Sequence, residues 1–450
     1  MESIAKANAY IAEHRQEVNP RFREVFHAMP PLNWCNDPNG FVFYQGEFHL
    51  FYQFYPYKNQ WGPMHWGHAS SPDLVTWKDH GVALAPEGAK ESGCWSGSSL
   101  VNPNDPHELL VYYTRHFETA YERVESIVLA HSFDGENFTR VAEVLGPKSV
   151  PLGYSTADFR DPKIVYRDGL YYLLVASTKN GQGTILIFKG LSPTKFDFFF
   201  AIALPQMGLV AECPDYARIG SRDLVMFSAV YAGGGHQSCY AFGTIDWDKG
   251  GFESEGVHRL DFGTSFYASQ CVFDLTHRFL ITGWLENWNK SYPLILGGDN
   301  WSGGFAFPRS CLYHEGRLIQ KPAAELEEYL GSEVPLTSKP FFPRRVLLQT
   351  SLAEGESLEF YSSSDPSDRI LISNEEGVIS VDESHELLGK GARSASDFVG
   401  EGPLTISCLI DTSSLELFLP DGECGSYRYY FLGKDLGFHG PHPATLREFR

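Results

Sequence analysis

The chain has 450 residues, of which 43% are hydrophobic and 20% charged, a globular composition with enough apolar mass for more than one core. Its net charge of −20 argues against nucleic acid or an anionic membrane surface as partner, because both are polyanions. A neutral ligand is the easier fit, and an aromatic content of 14% suits strands and sugar-stacking surfaces.

In chain order, residues 1–24 open with MESIAKANAYIAEHRQEV, an amphipathic helix pattern with charges throughout. It has no apolar h-region, so it does not read as a signal peptide. The most apolar stretch, Phe198 to Leu204, is too short to span a bilayer. The eight cysteines are scattered, with no C-x-x-C and no clustering with histidine, which argues against zinc or iron–sulfur sites. Together these features predict a cytoplasmic protein, in which the N-x-S/T triplets at Asn137, Asn289 and Asn300 carry no glycosylation meaning.

Residues 25–320 hold five segments with one pattern: a polar or acidic opening, a short strand, a turn, and an aromatic-rich strand. They begin at Asn36, Trp95, Phe159, Glu212 and Ser265. Hairpin turns are predicted at Gln45-Gly46, Asn104–His107, Arg167–Gly169 and Ser221–Asp223, with a weaker signal at Leu275–His277. No long helical periodicity interrupts them. The fold class this predicts is all-β: a five-bladed β-propeller, followed by a C-terminal antiparallel β-sandwich. One large irregular sandwich is the alternative for the first part.

Residues 321–344 form the predicted connection. Pro322 sits where a first helical turn would begin and Gly331 just past its end, and a loop with Pro335, Pro340 and Pro343 follows. From 345 to 450 alternating runs such as RVLLQTSL, RILISN and LELFLPDG predict the sandwich.

A propeller gathers its ligands where the innermost strand of each blade begins, so the openings of the repeats should face one another. Three of them are acidic: Asp37 in NWCNDPNG, Asp161 in FRDP and Glu212 in AECPD. An acid beside proline also makes turns through its side chain, but three at equivalent positions point to a shared site. Converging carboxylates in an aromatic funnel suit glycoside hydrolysis, which needs one carboxylate as nucleophile or base and one as acid. Asn36, Gln53, Trp61, Trp95, Ser96, Arg160 and Trp284 are the candidate substrate-binding residues, the tryptophans also being ordinary core material.

These segments resemble glycoside hydrolase family 32, the β-fructofuranosidases (invertases, sucrose-6-phosphate hydrolases and fructan exohydrolases). NWCNDPNGF is similar to that family's W-x-N-D-P-N-G motif, FRDP to its R-D-P motif and ECPD to its E-C-P motif. GHASSPDLVTW, WSGSS, GTSFYASQ, FAFPRS and DTSSLELFLPDGE resemble secondary blocks in the same order. The resemblance covers nearly the whole chain. It implies a propeller plus sandwich, and release of fructose from sucrose or sucrose 6-phosphate by a retaining double displacement. Asp37 would be the nucleophile, Glu212 the acid and then base, and Asp161 the transition-state stabiliser with Arg160 beside it. Such a reaction asks the acid to hold a proton near neutral pH, which burial beside other carboxylates provides. The nucleophile must stay ionised and so should accept several hydrogen bonds, with Asn36 a candidate donor.

Two positions depart from the family pattern. Cys35 stands where Met or Leu is usual, and Ala211 where many members have Trp; the latter predicts a roomier pocket beside the acid. Cys35 and Cys213 read as small buried fillers. His65 and His68 in PMHWGH lack the spacing of a helical zinc motif and read as loop residues near the pocket rim. No cofactor or metal is expected. Fructosyl transfer, fructan exohydrolysis, a non-catalytic carbohydrate-binding propeller and a pentosidase are the competing readings, and a homo-oligomer through the sandwich is compatible with the sequence.

Overall fold

The structure, a computed structural model, describes residues 3–290, 294, 297–336, 341–389, 391–441 and 443–450; Pro340 of the linker lies outside them. The N-terminal helix runs Ile4–His14, capped by Ser3, whose Oγ accepts from the Lys6 N–H. It buries Ala7 and Ile11, while Asn8 Oδ1 accepts from the Val82 N–H at 2.9 Å, pinning the helix to the outer strand Lys78–Leu84.

Five antiparallel sheets follow in chain order. Their first strands are Asn33–Tyr44, Gly93–Val101, Arg160–Arg167, Val210–Ile219 and Tyr267–Phe273. Each sheet then adds three antiparallel strands, and the first sheet also gains Trp301–Ser302, which pairs parallel to Asn33–Trp34. The five first strands touch in cyclic order, the fifth closing back on the first. Tight turns occur where turn chemistry predicts them: Gln45-Gly46 and Asp168-Gly169 each join a hairpin, Asp168 and both glycines having positive φ. In the fourth sheet the turn is one step earlier than predicted, at Gly220-Ser221, because Gly220 takes the left-handed conformation.

The connecting helix is shorter than predicted. Pro322 still belongs to the strand Arg317–Pro322, and only Ala324–Tyr329 winds, as a 3-10 helix. Two six-stranded sheets make up the C-terminal part. They share one apolar core that includes Val346, Leu348, Phe360, Ile372, Ile406 and Leu417.

The two parts are knitted together by backbone pairing and buried ions. Phe262 N–H donates to Cys424 O at 2.8 Å and Ser265 N–H to Ser426 O at 2.9 Å. Gly263 is needed between them, since a Cβ there would lie 2.3 Å from the Ser426 backbone. Arg309 reaches Asp261 (2.8 Å) and Glu416 (2.9 Å), and Arg428 reaches Glu24 and Glu286. His27 sits between Asp411 (2.8 Å) and Glu416 (2.9 Å). Those two carboxylates push its pKa up to about 10, outweighing the opposing effect of burial. Among the described residues no helix is long and apolar enough to cross a membrane.

Candidate active site

Each of the five first strands carries one extra residue near its start, opposite its neighbour strand. The irregularities fall between Cys35 and Pro38, Trp95 and Gly97, Arg160 and Lys163, Glu212 and Asp215, and Tyr267 and Gln270. A bulge bends the strand and re-aims a side chain that strict alternation would turn elsewhere. Asp37, Ser96, Asp161 and Cys213 lie inside four of these bulges. The backbone of Asp161 (φ 60°) and Cys213 (φ 46°) is left-handed, an unusual state for residues with a Cβ. Ala268 in the fifth bulge (φ 52°) shares that conformation.

At these bulges a cavity of about 470 Å³ opens, lined by Asn36, Asp37, Gln53, Trp61, Trp95, Ser96, Arg160, Asp161, Glu212, His236 and Trp288. Nine of the ten predicted site residues are among them. The exception is Trp284, which is fully buried against Trp34 and Trp288 and paired with Tyr267 across the fifth sheet. The cavity wall is instead made by Trp288, four residues on. Ala211 is also buried away from the cavity, among Ile185, Phe227 and Ala229, so it does not enlarge the pocket as predicted.

Asp37 accepts from Ser96 Oγ (2.7 Å), Asn36 Nδ2 (3.1 Å) and Cys213 Sγ (3.5 Å). Trp34 Nε1 donates to Asn36 Oδ1 at 2.8 Å and so orients the amide. The predicted donors are present, yet burial is the larger effect and holds the Asp37 carboxyl above its usual range, with the charge of Glu212 adding to it. Asp161 accepts from the Cys213 N–H at 3.0 Å. Burial pushes Asp161 up to about 7, Arg160 opposing and the charges of Glu212 and Asp37 reinforcing the shift.

Glu212 is held differently. Arg160 donates to one oxygen at 2.9 Å and Tyr267 to the other at 2.8 Å. Tyr267 also lies 3.3 Å from the Ser228 carbonyl. A phenol has one proton, so it serves either the carboxylate or that carbonyl at a given moment. The two carboxylates thus differ in their surroundings: Asp37 meets hydroxyl, amide and thiol donors, and Glu212 a guanidinium and a phenol.

The aromatic wall is built from Trp61, exposed to solvent along one side, and Trp95, whose indole stacks on His116 at 3.6 Å. Gln53 Nε2 donates to the Cys94 carbonyl at 3.1 Å, which fixes the chain just ahead of Trp95. Cys35 and Cys213 are buried free thiols, but Cys213 is more than the filler expected, since its thiol faces Asp37 (3.5 Å) and Asp161 (3.7 Å). His65 and His68 are not loop residues: both are buried in the strand His65–Ser71, where His68 stacks between Phe51 and His80.

Sequence reasoning passed over Tyr267, His236 and Trp288. Tyr267 opens the fifth repeat, in SFYASQ, at the place where other repeats carry acids, so its position was a usable signal. His236 follows the glycine run 233–235 at a loop tip and Trp288 lies in a non-repeating loop, where no periodicity marks them.

The model of the glycosyl hydrolases family 32 N-terminal domain matches residues 27–322. The raffinose invertase of Escherichia coli is 30% identical over 438 residues, covering 89% of this chain and 87% of its own. The sucrose-6-phosphate hydrolase of Escherichia coli is likewise 30% identical, covering 93% and 91%. Among solved structures, the Bombyx mori GH32 β-fructofuranosidase BmSUC1 superposes with a TM-score of 0.85 at 28% identity, over 99% of this chain and 97% of that one. A mutant of that enzyme in complex with sucrose gives 0.84 at 29% identity, with the same coverage.

Proposed function

The chain belongs to glycosyl hydrolase family 32, and from that membership we propose that it is a retaining β-fructofuranosidase releasing fructose from sucrose-type substrates. The observation that carries this is the convergence of Asp37, Asp161 and Glu212, from three different sheets, on one aromatic-walled cavity. We read the five sheets with their cyclically touching first strands as the blades of a five-bladed propeller, and the two six-stranded sheets as the sandwich. The eight free thiols support a reducing, cytoplasmic setting.

In this reading Asp37 attacks the anomeric C2 of the fructosyl unit while protonated Glu212 gives its proton to the departing glycosidic oxygen. The C2–O bond to the leaving sugar breaks and a C2–O bond to Asp37 forms. Glu212, now a carboxylate, takes a proton from water, whose oxygen displaces Asp37 and returns the site to its starting state. Tyr267 accommodates both states of Glu212, donating to the carboxylate and releasing it when the proton returns. Asp161 hydrogen-bonds the fructose hydroxyls, and Arg160 fixes Glu212 and offsets the charge of the acidic cluster.

Fructose release from sucrose, raffinose and inulin is the test, with Asp37→Asn and Glu212→Gln beside wild type. Wild-type release that falls by several orders of magnitude in both variants is expected. No release from any of these sugars, or an active Asp37→Asn enzyme, overturns the assignment.

A further inference from the structure

The charge of the cavity bears on which fructoside it takes. Three carboxylates, Asp37, Asp161 and Glu212, face one guanidinium. That guanidinium is fully committed: Arg160 bonds Glu212 (2.9 Å) and Asp158 (3.0 Å), with Glu125 at 3.9 Å and Asp161 at 4.0 Å. Beside the wall, Arg123 lies 5.5 Å over Trp95 and donates to Glu125 through Nε (3.0 Å) and Nη2 (2.6 Å). Lys290, two residues past Trp288, is buried and bound to Glu383 (2.6 Å), Ser265 (3.1 Å) and the Arg428 carbonyl (3.0 Å).

The part of the cavity beyond Glu212 receives the leaving sugar. His236 belongs to that part, because its ring packs edge-on against Tyr267 at 5.4 Å and Tyr267 holds the acid. Trp61, Trp95 and Trp288 give the same cavity flat apolar faces suited to sugar C–H surfaces. Lys58, exposed on the loop before Trp61, offers a point charge on a long unbranched stem, whereas tight phosphate recognition uses converging, pre-oriented donors. The net charge of −20 adds a long-range repulsion toward any dianion.

Resting on the β-fructosidase reading, we infer that this site selects uncharged β-fructofuranosides and discriminates against a leaving sugar that carries a phosphate. A phosphate there brings about two negative charges to a wall where Arg160, Arg123 and Lys290 are already paired with carboxylates. Binding it requires breaking one of those pairs or relying on the exposed Lys58 alone, and either raises KM.

The experiment is kcat/KM of the wild-type enzyme on sucrose and on sucrose 6-phosphate, at low and at high sodium chloride. A value on sucrose at least about tenfold higher is expected from like-charge repulsion, with the gap narrowing at high salt as screening grows. Calorimetric binding of the two sugars to Glu212→Gln should show the same order of affinity. Equal or better hydrolysis of sucrose 6-phosphate overturns the inference and leaves the β-fructosidase reading standing. Release from neither sugar refutes that reading, and the inference falls with it.

Discussion

Ser96 offers a direct probe of how the proposed nucleophile is kept ionised. Its hydroxyl donates to Asp37 Oδ2 at 2.7 Å, the shortest of the three bonds that oppose the burial of this carboxyl. A hydrogen bond to a charged group contributes about 1.5–3 kcal/mol, and about 1.4 kcal/mol corresponds to one pH unit. Ser96→Ala removes that donor while Asn36 and Cys213 remain, so a rise of about one unit in the Asp37 pKa is expected. A nucleophile works only when ionised, and activity is lost as pH falls through its pKa. The acid limb of kcat/KM on sucrose should therefore move to higher pH by about one unit, with little change on the plateau above it. Asp161, pushed to about 7, titrates in the same cluster, so the limb belongs to the set. Ser96 bonds Asp37 and not Asp161, which makes a displaced limb diagnostic of Asp37. A limb that stays in place, or moves to lower pH, in a variant with wild-type melting refutes the reasoning.

Tyr267→Phe removes a charge-assisted bond to Glu212 and should lower kcat on sucrose about 10- to 100-fold with KM little changed; a loss under about threefold would show that the phenol does not assist the acid. The two neighbouring tryptophans should separate by assay. Trp288→Ala is expected to raise KM for sucrose about tenfold with modest effect on melting, whereas Trp284→Ala, deep in the core, should cost about 3–5 kcal/mol in denaturant unfolding. His27→Gln leaves Asp411 buried without its cation and Glu416 with Arg309 alone, and should destabilise by about 3–5 kcal/mol. Because the folded pKa of about 10 lies above the unfolded 6.5, that contribution is complete below 6.5 and fades as pH rises through 10; variant and wild type should converge in unfolding free energy at still higher pH.

Turn chemistry and side-chain alternation are local properties, and they made the repeats legible. Gly46 and Asp168-Gly169 need conformations that few residues adopt, so the hairpins they close could be placed from the sequence. The three acids were legible for a related reason: they recur at the same point of a repeat, and repetition around an axis turns equal positions into neighbours. The alternating runs after residue 345 likewise become the strands Val346–Leu352, Asp365–Glu375 and Ser414–Phe418.

What the sequence by itself determined is thus the strand order, the turns and the acidic openings, each set by contacts a few residues apart. Which face a residue presents was decided only by the tertiary structure. The strand Phe279–Trp284 is buried on both sides, so apolarity gives no phase, and packing against Trp34 took Trp284 into the core while Trp288 reached the cavity. The same holds for the segment after Arg317, where Pro322 stayed in a strand opposite Arg309 and the next residue, Ala323, donates to the Pro308 carbonyl at 2.8 Å, so winding begins only at Ala324. Bulges shift the phase again at each cavity residue, and their sites depend on how neighbouring sheets abut. The commitment of Arg160 to Glu212 and of Lys290 to Glu383, carboxylates far away in sequence, is the clearest case: charge composition counts the ions, and only the packed structure says which of them remain free to meet a substrate.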